Sequence, residues 1–201
     1  MRVSRKKAAE NRDRIVETAS RMFREGGFEG VGVDAIMKRA GLTHGGFYGH
    51  FGSKDDLAAE AVTRALERGV ENLGRYRKLG DLVAEYLSQR HYADRANGCA
   101  IAALGSDMVR QGEGVRRGLT AHVRVQLDRL ARLLKEGTAA RRRKRAIATL
   151  AGMIGALTLA RAVDDPALSK EILTAARDAF GAAQPADESS GRTVPRHQPR
   201  R

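Results

Sequence analysis

The 201-residue chain has no tryptophan, one cysteine, and only nine aromatic side chains, five Phe and four Tyr. The single Cys99 excludes an intrachain disulfide framework and fits a reducing compartment. The N-terminus, MRVSRKKAAENRDR, is basic and lacks an apolar core, so it does not read as a secretory signal. The most apolar run, residues 146–163, is short for a membrane span, contains Arg161 and follows a dense basic cluster; a soluble, cytoplasmic protein is expected. The five histidines (His44, His50, His91, His122, His197) are scattered, with no nucleophile–base arrangement and no phosphate loop. An enzyme is therefore not expected, and neither a metal nor a cofactor is implied. His44 and His50 without cysteine or carboxylate partners make a poor metal site.

No internal repeat and no sustained strand-type alternation occur, so the expected class is all-α, about nine helices. The 37 Lys/Arg against 24 Asp/Glu give a formal charge of +13, which favours polyanionic partners. That charge is spread along the chain: residues 1–54 hold eleven basic and six acidic side chains. Basicity alone does not locate a binding site.

The stretch Val33 to Lys54, VDAIMKRAGLTHGGFYGHFGSK, does locate one. Val33, Ile36, Met37 and Ala40 repeat at the spacing of one buried helical face. Gly41 suits a left-handed helix end. Leu42 can fill the angle between two helices, and Thr43 can cap the second through its hydroxyl. That is a helix-turn-helix, whose second helix lies in the major groove of DNA. Gly45, Gly46 and Gly49 each cost that helix about 1 kcal/mol relative to alanine, without serving a core. Missing side chains let a backbone approach a groove closely.

From Arg14 to Leu57 the chain resembles the DNA-binding head of the TetR family of transcriptional regulators. The resemblance rests on Ile15, Ala19, Phe23, Gly27-Phe28, Val33, Ile36, Ala40-Gly41, Leu42-Thr43, Gly45, Tyr48, His50-Phe51, Ser53-Lys54 and Leu57. It implies base-edge contact by Thr43, His44, Gly45 and Gly46, and phosphate contact by Tyr48, His50 and Lys54; Phe47 and Phe51 are expected inside the head. Val31 and Gly32 depart from the family pattern, which often places Thr or Ser there, so one phosphate contact and one side-chain cap are missing. The arm (Arg2, Arg5, Lys6, Lys7, Arg12, Arg14) can partly compensate.

The expected organisation is a loose basic arm over 1–12, a DNA-binding unit over 13–57, a helical body over 58–182, and a disordered polar tail over 183–201. Ser53 is expected to cap a long helix running to about Arg77. In the penultimate helix Ala148, Gly152, Ala156 and Ala160 form a ridge of small side chains on an otherwise apolar helix. With Leu168 and Ile172 on the last helix, this ridge is the expected dimer interface; TetR-like proteins pair two such helices across a two-fold axis. Two heads so related would read an inverted-repeat operator.

The resemblance also implies a small-molecule effector pocket in the body, with Tyr86, Tyr92, Cys99, Leu104 and Met108 as candidate lining. The expected function is a homodimeric, ligand-released repressor. The alternatives are an effector-independent architectural dimer, or an electrophile or redox sensor acting through Cys99.

Overall fold

The computed structural model describes residues 5–181; the expected disorder of the tail lies outside them, as does Arg2. Among the described residues every regular element is helical. In order these are α1 (Arg5–Gly26), α2 (Val33–Arg39), a 3-10 helix (His44–Gly49), α3 (Lys54–Leu73), α4 (Leu79–Tyr86) and α5 (Gln89–Ala93). The remainder are α6 (Ala100–Met108), α7 (Glu113–Leu133), α8 (Ala139–Ala162) and α9 (Pro166–Gly181).

Helix ends follow local chemistry. Gly27 takes φ 73° after α1, and Gly41 takes φ 70° after α2, the left-handed region that a side chain resists. The Leu42 amide then donates back to the Met37 carbonyl at 2.9 Å, which turns the chain toward the 3-10 helix. Ser53 accepts from the Asp56 amide at 3.1 Å and Thr138 from the Arg141 amide at 3.2 Å, caps worth about 1 kcal/mol each. Asp165 accepts from the Ala167 and Leu168 amides, with Pro166 in the first turn of α9.

Two expectations fail here. The arm is not loose to residue 12, because α1 already begins at Arg5. Arg12 pairs with Glu60 of α3 and lies 4.6 Å above the Phe51 ring, which binds this part of α1 to the head. Helix α3 stops at Leu73 rather than near Arg77, with Gly74 as its last capping residue.

The core has two parts. The first joins Ile15, Ala19, Phe23, Phe28, Ile36, Met37, Phe47, Phe51, Leu57 and Leu66 to Leu104, Met108 and Val115. Helix α6 thus completes the core of the N-terminal unit, and packing continues past residue 57. The second part holds Leu82, Val83, Leu87, Leu130, Leu150, Met153, Leu157 and Leu173 from α4, α7, α8 and α9. Helix α8 is long and apolar enough by composition to cross a membrane, and it packs against α6, α7 and α9.

Candidate nucleic-acid interface and body cavity

The second element of the helix-turn-helix is a tight 3-10 turn of six residues. Thr43 precedes it with an extended backbone but makes no side-chain cap bond, contrary to the sequence expectation. Its hydroxyl therefore remains available. Gly32, at the start of α2, also makes no side-chain cap, in line with the departure noted at that position.

Side chains along the turn divide sharply. Phe47 and Phe51 are buried and stack with ring centroids 5.7 Å apart, anchoring the turn to the core. Thr43, His44, Gly45 and Gly46 are exposed, and Tyr48 is 69 % exposed although its ring touches Phe47 edge-on. His50 and Lys54 are half-buried at the same end of the unit. His44 pairs through Nδ1 with Asp34 of α2, a contact that sequence spacing did not suggest.

None of the three glycines in this turn has positive φ, so the fold does not need them for their backbone freedom. A Cβ at Gly45 or Gly49 would meet no atom within 4 Å. At Gly46 it would make only ordinary contact with Met37 and Thr43. The intrachain structure gives no reason for glycine at 45 or 49, and the space beyond them is outside the molecule.

In the body, a cavity of about 450 Å³ opens between the end of α1, α3, α4, the α5–α6 loop and α7. Of the five sequence candidates, Tyr86 and Cys99 line it. Tyr92 packs against the second core, and Leu104 and Met108 are buried in the first; none of the three lines the cavity. The lining that sequence missed includes Arg24, His122 and Gln126, which only tertiary packing brings together.

His91 organises one wall. Its Nε2 accepts the Cys99 amide at 3.0 Å, so Nδ1 carries the proton and donates to the Tyr86 carbonyl at 2.6 Å. Burial lowers its pKa, the chief cause. Burial likewise pushes the Tyr86 hydroxyl well up, so it stays a phenol. His122 is pushed down to about 4 by burial and is neutral. Among the described residues no cluster of three His, Cys, Asp or Glu could hold a metal ion.

Residues 15–61 match the family described as bacterial regulatory proteins, tetR family. Over that stretch the chain is similar to the TetR family. An HTH-type transcriptional regulator of Staphylococcus aureus strain USA300 is 41 % identical over 63 residues, 31 % of this chain and 34 % of that protein. The chain thus matches about a third of the length of its curated relatives. A TetR transcriptional regulator from Chloroflexus aurantiacus superposes with TM-score 0.66 at 27 % identity, covering 86 % of this chain and 95 % of that one. The reduced form of E. coli NemR superposes with TM-score 0.69 at 20 % identity, covering 85 % and 95 %, which shows a shared fold.

Much of the small-residue ridge expected at a dimer interface is covered within the single chain. Ala156 and Ala160 are buried within the single chain. A Cβ at Gly152 would run into the Phe180 ring of α9. Of the ridge, only Ala148 is exposed. The open face of α8 is instead Ile147, Ala148, Ala151, Leu159 and Ala162, with Gly155 half-buried among them. Helical spacing puts these on one side. A Cβ at Gly155 would meet nothing within 4 Å. On α9, Leu168 is exposed and Ile172 half-buried.

Proposed function

We propose that this chain is a homodimeric TetR-family repressor that holds an inverted-repeat operator and releases it when a small molecule fills the body cavity. The observation that carries the DNA-binding part is the empty space beyond Gly45 and Gly49, beside exposed Thr43, His44 and Tyr48. A backbone stripped of side chains suits close approach to a groove floor. In this reading Thr43, His44, Gly45 and Gly46 read base edges, while Tyr48, His50 and Lys54 grip phosphates. Residues 13–57 bind DNA, 58–182 sense and dimerise, and the protein works in the cytoplasm.

The exposed apolar face of α8, with Leu168 and Ile172 of α9, supports pairing with a second copy, because Leu159 at 58 % exposure gains little from water. Release is supported by how α1 is tied to the cavity wall. Arg21 Nε donates to Asn97 at 2.9 Å and Arg24 Nε to the Ala96 carbonyl at 2.6 Å, both in the loop before α6. Anything that shifts that loop pulls on the DNA-binding unit.

Sequencing the genomic fragments retrieved by the purified protein tests the proposal. Tyr48→Ala is expected to weaken binding across all fragments, whereas His44→Ala changes the preference among them. A monomer in solution, or no preference for palindromic duplexes over random ones, defeats the reading.

Sensing through Cys99 is a second reading, favoured by its place in the cavity wall beside Tyr86 at the start of α6. Cys99→Ser that leaves an electrophile response intact eliminates it.

A further inference from the structure

The cavity walls carry polar groups whose partners are missing, and their chemistry differs from one end to the other. Arg24 is only 5 % exposed and lines the cavity. Its Nε serves the Ala96 carbonyl and its Nη1 the Ser20 hydroxyl, at 2.6 and 2.9 Å. Among the described residues Nη2 has no hydrogen-bond partner, and no carboxylate comes within 4 Å of the guanidinium. The carboxylate that acts on it most, Glu17, turns its Oε1 to both Arg68 and Arg21, while its Oε2 is buried without a hydrogen-bond partner. Three guanidiniums therefore depend on one carboxylate. Burial lowers the Arg24 pKa, and Glu17 offsets that only in part.

The other acidic groups of the lining do not help. Glu85 is paired with Arg90, and Asp94 holds the Asn97 side chain and amide. Arg68 lines the cavity as well, which adds a second positive charge to the Arg24 end. Tyr86 lines the cavity too, and its hydroxyl is buried with the Cys99 thiol beside it and no nitrogen or oxygen acceptor within reach.

The α7 side is different. Gln126 Oε1 is buried without a partner, an acceptor waiting for a donor. Neutral His122 stands beside it, both against Gly69. Leu66, Leu73, Leu82 and Ala100 contribute apolar lining. Leaving a buried guanidinium without a counter-charge is costly, and so is each unmade buried hydrogen bond.

We propose that the cavity takes a small organic acid with an apolar middle, its carboxylate on Arg24 and Tyr86 and a hydroxyl or amide donor on Gln126. This rests on the cavity being the effector site. A neutral ligand leaves Arg24 uncompensated, and an amine meets two guanidiniums. Because Arg24 also holds the loop before α6, the anion acts on the residue that ties α1 to the body.

Calorimetry on the full chain tests this with hydroxyphenylacetate, hydroxycinnamate and hydroxydecanoate, their methyl esters, and tyramine. At least one acid is expected to bind about tenfold or more tighter than its ester, with tyramine weaker still. Arg24→Gln abolishes the acid-over-ester preference, and Arg24→Lys keeps it. Gln126→Leu weakens hydroxyphenylacetate but not phenylacetate. The wild-type acid-to-ester ratio needs no variant to fold. Esters or tyramine binding as well as the acids, a preference that survives Arg24→Gln, or no acid binding at all overturns the proposal. Operator affinity measured in parallel separates the two claims. Acids that bind without loosening DNA leave the ligand class standing and defeat effector release; esters that bind and loosen DNA do the reverse.

Discussion

Two glycine-bearing surfaces of this molecule look alike in sequence and serve opposite ends. On the 3-10 turn, a side chain at Gly45 or Gly49 would project into open space. On α8, a side chain at Gly152 would strike Phe180 of the same chain. Small residues make room in both places: at the turn for something outside, on α8 for the protein's own last helix. Gly69 is intermediate, since a Cβ there would press to 3.3 Å against His122 at the cavity edge.

Substitutions that add volume should separate the two surfaces. The largest effect is expected from Gly152→Leu, which should cost about 3 kcal/mol of stability by overpacking against Phe180. Denaturant unfolding measures this, and Phe180→Ala in the same chain should recover much of it. If Gly152→Leu proved harmless to folding but broke the dimer, the α8 ridge would belong to the interface after all. Gly45→Leu should leave the unfolding midpoint unchanged and weaken operator binding by about tenfold, or 1.4 kcal/mol. A loss of stability there would place the glycine in the fold's service.

A pH-dependent effect on stability comes from His122, the group that Gly69 accommodates. Its pKa falls from an ordinary 6.5 to about 4 when buried. Between those values the unfolded chain takes up a proton that the folded chain refuses. Stability is therefore full above the unfolded value and drains as pH drops toward the folded one, by roughly 1 to 3 kcal/mol. Urea unfolding near neutrality and at about pH 4.5 should show a slope that His122→Asn flattens. His91, also lowered by burial, adds to the slope with the same sign and remains in the variant.

The smallest change is expected from Asp34→Asn. It loosens His44 without touching the glycines, so preference among operators should shift by about threefold, the range of an exposed surface contact. Selection on a randomised duplex pool reads this directly.

What sequence made legible was local. Gly41 and Ser53 mark helix ends because caps are formed by residues a few positions apart, although Thr43 does not make the cap expected of it. Phe47 inside and Tyr48 outside follow from the anchoring of one turn. The cavity could not be read this way: Arg24, Tyr86 and Gln126 come from α1, α4 and α7 and meet only through packing. Periodicity likewise put Ala148, Gly152, Ala156 and Ala160 on one face but could not say whose surface covers it. Phe180 does so at Gly152, and the free face begins one residue earlier, at Ala151 and Gly155.

Helix α1 runs unbroken for 22 residues, from Arg5 to the stretch around Arg21 and Arg24 that grips the body. At the usual rise it is about 31 Å long, which makes it a lever with its short arm in the cavity wall. A tilt of about five degrees at the gripped end swings the opposite end by about 3 Å. Hydrogen bonds to phosphate oxygens do not stretch that far, so in the proposed reading a tilt of this size would be enough to loosen the head's hold on a duplex.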